Sequence, residues 1–439
     1  MKRVYHLTLV FVCAGILVSS WLVYGNTLHQ VNAMLDPSEV SSPPMGPFLD
    51  IWTDGVDNLK PAVAYNNLHD EYLVVWYTKQ GDFTWDIWAR RVGHDGELWS
   101  WFNIDSLEGK KLTDPAVVYN PDQDEYLIIY TREVAENSWD IIARRIPWNG
   151  SGSFPRIILD NPEINISSPS VAYNPQSKEY LVVYTKQIGG TNSEIFAKRL
   201  KGNDGTILSQ NVITSGTNEY RYQPDIAFNP TRENYLIAYS LDSMAPGEIR
   251  ARVVSADLSS FSPEFQISGS TNHEYGPYVA AGPDEFLVAW TQMDLSSSEY
   301  RVYGRRIKYD GTPQGPFQGF PIASSTTTTI MRQASDATYS PFSGYLVVSS
   351  YFNPSSADES NVYGRFILPG QDHAAGNEFP IDTSPHYQSA PAVACAPSGD
   401  CLVAEVHNPL AYPAGDMEIR GRLVYGRLTY LPAILRTFQ

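Results

Sequence analysis

Cysteine is scarce: Cys13, Cys395 and Cys401 are the only three in 439 residues. Cys395 and Cys401 have no third cysteine near them, which argues against a cysteine-rich zinc site. The eight histidines form no His-Glu-x-x-His, and no Gly-x-Ser-x-Gly occurs, so two familiar hydrolase signatures are missing. Basic residues are outnumbered, 31 Lys+Arg against 48 Asp+Glu, for a net charge of −17. Nucleic-acid binding needs clustered basic surface, so this balance argues against it. No long helical period appears after the N-terminus.

What is present is a repeat. The stretch Pro61 to Val92, PAVAYNNLHDEYLVVWYTKQGDFTWDIWARRV, returns six more times with changes. Its copies start at Pro115, Pro169, Pro224, Pro277, Ser335 and Pro391, at intervals of 54, 54, 55, 53, 58 and 56 residues. A fixed period of this length means one supersecondary unit stacked on copies of itself. We number the units 1 to 7.

Each unit reads as four strands, A to D. Strand A is P-x-V-A-Y-N, followed by a turn that is often Asn-Pro. Strand B is E-Y-L-V-V-W/Y. In Tyr72-Leu73-Val74-Val75-Trp76 both alternating faces are apolar, so both should be buried. Strand C ends in a small residue and a base, as in Ala89-Arg90, Ala143-Arg144 and Gly304-Arg305. Strand D carries a sparse apolar pair such as Phe102/Ile104 or Phe379/Ile381. The expected fold is an all-β, seven-bladed β-propeller of four-stranded antiparallel blades.

The ends are read separately. Residues 1–25 resemble a signal peptide or signal anchor, with Lys2 and Arg3 before the apolar run Leu7 to Val23. Residues 26–45 read as a linker, 46–428 as the propeller and 429–439 as a tail. Phe48–Ile51 matches a strand D with no A to C before it. It is expected to pair with Ile419–Val424 and close the last blade, which removes an exposed sheet edge. The tail around Tyr430-Leu431-Pro432 competes for that place, though Pro432 weakens it as a strand. The expected location is secreted or at the cell surface, with membrane contact only through an uncleaved N-terminal anchor. A monomer is expected.

The pattern P-x-V-A-Y-N…E-Y-L-V-V-W…(A/G)-R, over about residues 46 to 427, resembles a blade repeat of secreted bacterial propeller proteins. It is also similar in layout to TolB-type blades. The resemblance implies a propeller fold and no particular activity, since propellers host many functions. Trp85-Asp86 and Trp139-Asp140 mimic the WD dipeptide but open strand C, without the Gly-His pair of WD repeats. Kelch glycine pairs, sialidase Asp-boxes and integrin-type calcium loops are absent.

A residue present in every unit is expected to serve the scaffold, and ligand sites should lie where the repeat breaks. Arg90 and its equivalents are expected to tie strand C to the glutamates that start strand B: Glu71, Glu125, Glu179 and Glu285. Cys395 and Cys401 replace a facing aromatic pair, seen as Tyr65/Tyr72, and are expected to form a disulfide. The B–C and D–A loops share one end of a propeller and carry Trp85, Trp139, Tyr220, Tyr222, His273, Tyr275, His386 and Tyr387. Exposed aromatics beside polar groups suit stacking on a sugar or gripping a peptide; equally, they suit capping blade ends. Asp114, Asp225 and Asp336 start strand A near the channel mouth, as turn residues or as carboxylates for glycoside hydrolysis. The expected function is a binding or interaction module for a carbohydrate or protein ligand, without cofactor or metal. A polysaccharide hydrolase or lyase and a structural surface protein are the alternatives.

Overall fold

The computed structural model describes residues 42–426, except 137, 153, 161–164, 191, 215–218, 243–245, 324–330, 354–359 and 411–415. It also describes the backbone of 19–24 and 27–32. Residues 1–18 and the tail from 427 onward lie outside the described residues, so most of the targeting segment and the tail alternative do too. Strands β1 (Ser19–Tyr24) and β2 (Thr27–Asn32) form an antiparallel pair of their own. The second falls in the stretch read as linker.

The protein is an all-β propeller of antiparallel four-stranded blades. Unit 1 supplies β4 (Asn58–Asn66), β5 (Glu71–Lys79), β6 (Trp85–Gly93) and β7 (Leu98–Asp105), paired in that order. Unit 2 supplies β8 (Leu112–Asn120), β9 (Glu125–Ala135), β10 (Ser138–Pro147) and β11 (Ile157–Asp160). Unit 5 gives β20 (His273–Ala281) to β23 (Phe320–Ala323), and unit 6 gives β24 (Met331–Ser340) to β27 (Ala375–Asp382). Units 3 and 4 share one eight-stranded sheet. In it β12 (Ile166–Asn174) to β15 (Ile207–Val212) meet β16 (Tyr220–Asn229) to β19 (Phe265–Gln266). Among the described residues the two sets of strands pair at one place, the parallel pair Ser193↔Tyr220.

Unit 7 supplies β28 (Tyr387–Cys395), β29 (Asp400–Asn408) and β30 (Glu418–Tyr425). Its fourth strand is β3 (Met45–Trp52), which pairs with β30 through Phe48↔Arg422, Leu49↔Gly421 and Asp50↔Arg420. The first strands neighbour one another in a closed cycle: β4 beside β8, then β12, β16, β20, β24, β28 and back to β4.

Burial follows the pattern of strand B. Tyr72 to Trp76 are all fully buried. Leu73 and Val75 pack toward Tyr126 and Ile128 of unit 2. Tyr72, Val74 and Trp76 pack toward Leu402 and Ala404 of unit 7. The facing aromatic pair recurs, with Tyr65 and Tyr72 ring centres 5.2 Å apart and Phe228 and Tyr235 4.9 Å apart. At the same register, Cys395 faces Cys401 and the two form a disulfide.

The expected Arg90–Glu71 link is corrected. Glu71 is held by Arg91, as Glu125 is by Arg145, Glu179 by Arg199 and Glu285 by Arg306. The reason is the period of two. Arg91 stands opposite Leu73 and shares Glu71's face; Arg90 stands opposite Val74 and faces the other way. Arg90 instead donates to the carbonyl of Ile51 in the preceding sheet, at 2.7 Å. Arg305, Arg365 and Arg422 reach Ile267, Ile322 and Ile381 in the same way. The small-basic pair therefore joins neighbouring sheets.

Candidate functional site

Strand A breaks its ladder near the channel mouth in every unit. In unit 1 the register slips between Leu59 and Ala62, leaving Lys60-Pro61 as a bulge. Lys60, Asp114, Ser168, Gln223, Gly276 and Ala390, each just before a proline, all take positive φ. Such a bulge re-aims the next side chain, and that side chain faces the central cavity. The cavity measures about 810 Å³.

The residue after the bulge differs from unit to unit. It is Ala62, Ala116, Ser170, Asp225, Tyr278, Asp336 and Ala392, and all seven line the cavity. Units 3 to 6 therefore present hydroxyl and carboxyl groups, while units 7, 1 and 2 present methyl groups.

Asp225 accepts a hydrogen bond from the Ser170 hydroxyl at 2.7 Å and from the backbone N–H of Val279 at 2.7 Å. Asp336 accepts from the backbone N–H groups of Ala337 and Val393, both at 2.8 Å. Burial pushes the Asp225 carboxyl up. Burial, and then the Asp225 charge, push Asp336 up to about 7, against the pull of its N–H donors. Tyr278, between them in the ring, is pushed up by burial and by both carboxylates. Asp114 stands apart. It occupies the bulge itself, and its carboxylate pairs with Lys60, the one cation among the described lining residues.

Tyr220 and Tyr222 open β16, and His273 and Tyr275 open β20, so these expected loop aromatics begin strand A of units 4 and 5 instead. Tyr220 and Tyr222 stack at 5.0 Å, and Tyr220 is 42% exposed. His273 and Tyr275 lie 5.7 Å apart, and the Tyr275 hydroxyl accepts from Gln333 at 3.2 Å. His273 Nδ1 also accepts from the backbone N–H of Gly247 at 2.9 Å, which locks the ring to the start of β18 (Glu248–Ser255).

Trp85 lies on the other side of the ring. Its indole stacks on Tyr77 at 5.6 Å, between the ammonium groups of Lys79 and Lys111, each 5.4 Å from a ring centre. Its Nε1 donates to the Gly81 carbonyl at 3.0 Å. Its backbone N–H donates to the carbonyl of Lys110 at 3.0 Å, so the B–C and D–A loops do meet at one end. Trp139 stands opposite Glu133 in unit 2, and among the described residues its ring stacks on no other. His386 takes a positive φ of 82° before β28, and Tyr387 lines the cavity.

Sequence reasoning missed Ser170 and Tyr278. The signal was available: both occupy the variable x of P-x-V-A-Y, a break in the repeat at a single column.

No protein family and no curated protein matches the sequence. Solved structures match the fold. A polysaccharide lyase, the family 25 ulvan lyase bound to a GlcA-Rha3S oligosaccharide, is 11% identical with a TM-score of 0.55. The match covers 85% of this chain and 95% of that one. A protein of unknown function from Dyadobacter fermentans is 8% identical with a TM-score of 0.54, over 88% of this chain and 100% of that one. At such identities the likeness establishes a shared fold and nothing further.

Proposed function

We propose that this chain is an exported, seven-bladed propeller that binds a carbohydrate at the channel mouth over units 4 to 6. The count of seven treats the eight-stranded sheet as two blades joined at the Ser193↔Tyr220 pair. The observation that carries the binding reading is the column after the bulge, polar over units 3 to 6 and alanine over the rest. Sugar recognition uses aromatic faces against C–H surfaces and polar groups against hydroxyls. Tyr220, Tyr222, His273 and Tyr275 supply the first, and Ser170, Asp225, Tyr278 and Asp336 the second. Trp85, Trp139, His386 and Tyr387 form the outer rim. The disulfide supports an oxidising compartment. The ulvan lyase of similar fold was solved bound to a GlcA-Rha3S saccharide, which makes glycans the first ligands to test.

A polysaccharide-cleaving enzyme is the second reading, and Asp336 favours it. A carboxyl pushed up to about 7 near a second carboxylate has the acid–base character glycosidases use. Both carboxylates, however, also bind backbone N–H groups of the neighbouring sheet, which gives them a structural role and leaves binding as the better-supported reading.

A glycan-array screen of the full chain, with reducing-end release measured in parallel, tests both. Binding without release, lost in Tyr222→Ala, supports the first reading. Release abolished by Asp336→Asn establishes the second. An array without hits, together with no release, sinks both.

A further inference from the structure

The cavity and its rim belong to the reading above, but a buried group in unit 7 does not. We propose that the carboxyl pair Asp382–Glu405 is a proton-held latch between the sheets of units 6 and 7, closed in mildly acidic surroundings and released as the pH rises.

Glu405 breaks the repeat. It lies in β29 at the strand-B position filled by Trp76, Tyr130, Tyr184, Tyr239 and Trp290 in other units. Tyr130 and Tyr184 each donate a hydroxyl hydrogen bond to an aspartate ending strand D of the preceding unit, Asp105 and Asp160. Asp382 is the equivalent aspartate at the end of β27, and Arg420, which stands opposite Glu405 in the sheet, donates to it at 3.3 Å, so the two carboxyls share one joint. Both residues are buried, at 0% and 2% exposure.

Two buried carboxyl groups share one joint only if one carries a proton. Asp382 is the ionised partner. It accepts from the Ser384 backbone N–H at 2.7 Å, the Ser384 hydroxyl at 2.6 Å and Arg420 at 3.3 Å. Glu405 keeps the proton, and its buried Oε2 finds no hydrogen-bond donor among the described residues. A neutral Glu405 thus stands in for the tyrosine hydroxyl of units 2 and 3.

The charged neighbours are few. Arg420 and Arg422 on β30 oppose the proton on Glu405; burial and Asp382 outweigh them and push it well up. Asp382 itself is held below its usual range, because the Glu405, Ser384 and Arg420 contacts outweigh its burial. His407, two residues along β29, is lowered to about 4 by burial and Arg420, so it is neutral across the useful range. Asp50 on β3 and His386 face His407.

The signs fix the window. In the unfolded chain Glu405 ionises above its ordinary value of 4.5, while the folded chain keeps the proton. Its stabilisation is therefore complete below that value and lost as the pH rises toward the folded value. Asp382 works the other way, its contribution present above 3.8 and lost as the pH falls. The joint is strongest between neutral and strongly acidic conditions.

The latch also fixes a loop. Arg420 donates to the Ser384 hydroxyl at 3.2 Å, and Gln388 donates to the Ser384 carbonyl at 3.2 Å. Gln388 lines the cavity. Release would loosen the loop that carries His386 and Tyr387 to the mouth; that consequence rests on the binding reading, and the latch itself does not.

Thermal melts of the full chain from about pH 5 to about pH 9 test the latch, comparing the natural chain with Glu405→Gln and Glu405→Tyr. Both variants put a neutral donor at position 405. The natural chain should lose several degrees more across that range than either variant. Variants that keep the natural slope overturn the proposal, and if one fails to fold the other decides. In the unmodified chain, hydrogen-exchange protection of residues 383–389, corrected for intrinsic rate, should fall with pH relative to residues 106–111. Parallel protection in the two loops also overturns it.

Discussion

Two arcs of one channel can be compared directly. Over units 7, 1 and 2 the bulge of strand A turns Ala392, Ala62 and Ala116 inward; over units 4, 5 and 6 it turns Asp225, Tyr278 and Asp336 inward. The slip in register recurs on both sides, for instance between Leu59 and Ala62 and between Tyr222 and Asp225. The fold is therefore met by alanine at this position. What the polar arc adds is chemistry that the backbone does not need.

The comparison breaks most completely if the ring opens. Deleting residues 42–53 removes β3, leaves the edge of β30 unpaired and uncovers Ile419 and Leu423. Unfolding in urea should then begin without denaturant or show a midpoint far below that of the intact chain.

A finer test converts one arc into the other. Asp225→Ala and Asp336→Ala should each destabilise by about 1–3 kcal/mol, because the N–H of Val279 or Val393 loses its acceptor. The Asn variants retain an acceptor oxygen and should melt closer to the natural chain while still losing ligand. If the Ala and Asn variants match in stability, the inter-sheet bonds carry no weight and the two arcs differ in charge alone.

The acidity of Asp336 sharpens the contrast, since no alanine unit can titrate there. Its folded value of about 7 lies above the ordinary 3.8, so its share of stability is full below about pH 4 and declines as the pH rises through about 7. Asp336→Asn should flatten that decline in a series of denaturant midpoints.

Outside the channel, the Cys395–Cys401 disulfide closes only a short loop, so reduction should cost roughly 2 kcal/mol in the chain-entropy account and leave ligand binding unchanged. A small effect on binding is expected at Trp85. Its indole is engaged by Tyr77, Lys79 and Lys111. Trp85→Ala should lower the melting temperature modestly and alter affinity little; a large loss of affinity would move the ligand to the alanine side.

The scaffold was legible because its signals are periodic. Strand B reads as buried on both faces, Cys395 and Cys401 stand in an aromatic column, and Phe48–Ile51 sits at strand-D spacing; the described sheets carry all three features. Arg90 was misread because adjacent residues of a strand point to opposite faces, and a spacing shared with Glu71 does not say which. The candidate site was legible only in part. Asp114, Asp225 and Asp336 all line the cavity, yet Asp225 and Asp336 follow the bulge and accept backbone N–H groups of the next sheet, while Asp114 sits in the bulge and pairs with Lys60. Tyr278 went unnoticed because a tyrosine in a chain 13% aromatic attracts no attention until the repeats are aligned column by column.

The pairing of β3 with β30 has a consequence in time. Arg422 donates to the carbonyl of Gly46, a contact across 376 residues of chain. On a ribosome adding about 5–20 residues per second, that partner is made tens of seconds later. Each sheet after the first can form as its hairpins emerge, but the circle cannot shut until β30 exists. During that interval β3 is an orphan strand and the flank of unit 1 has no neighbour. The growing chain is then most exposed to mispairing with a second copy, so the rate of synthesis through unit 7 becomes a determinant of yield.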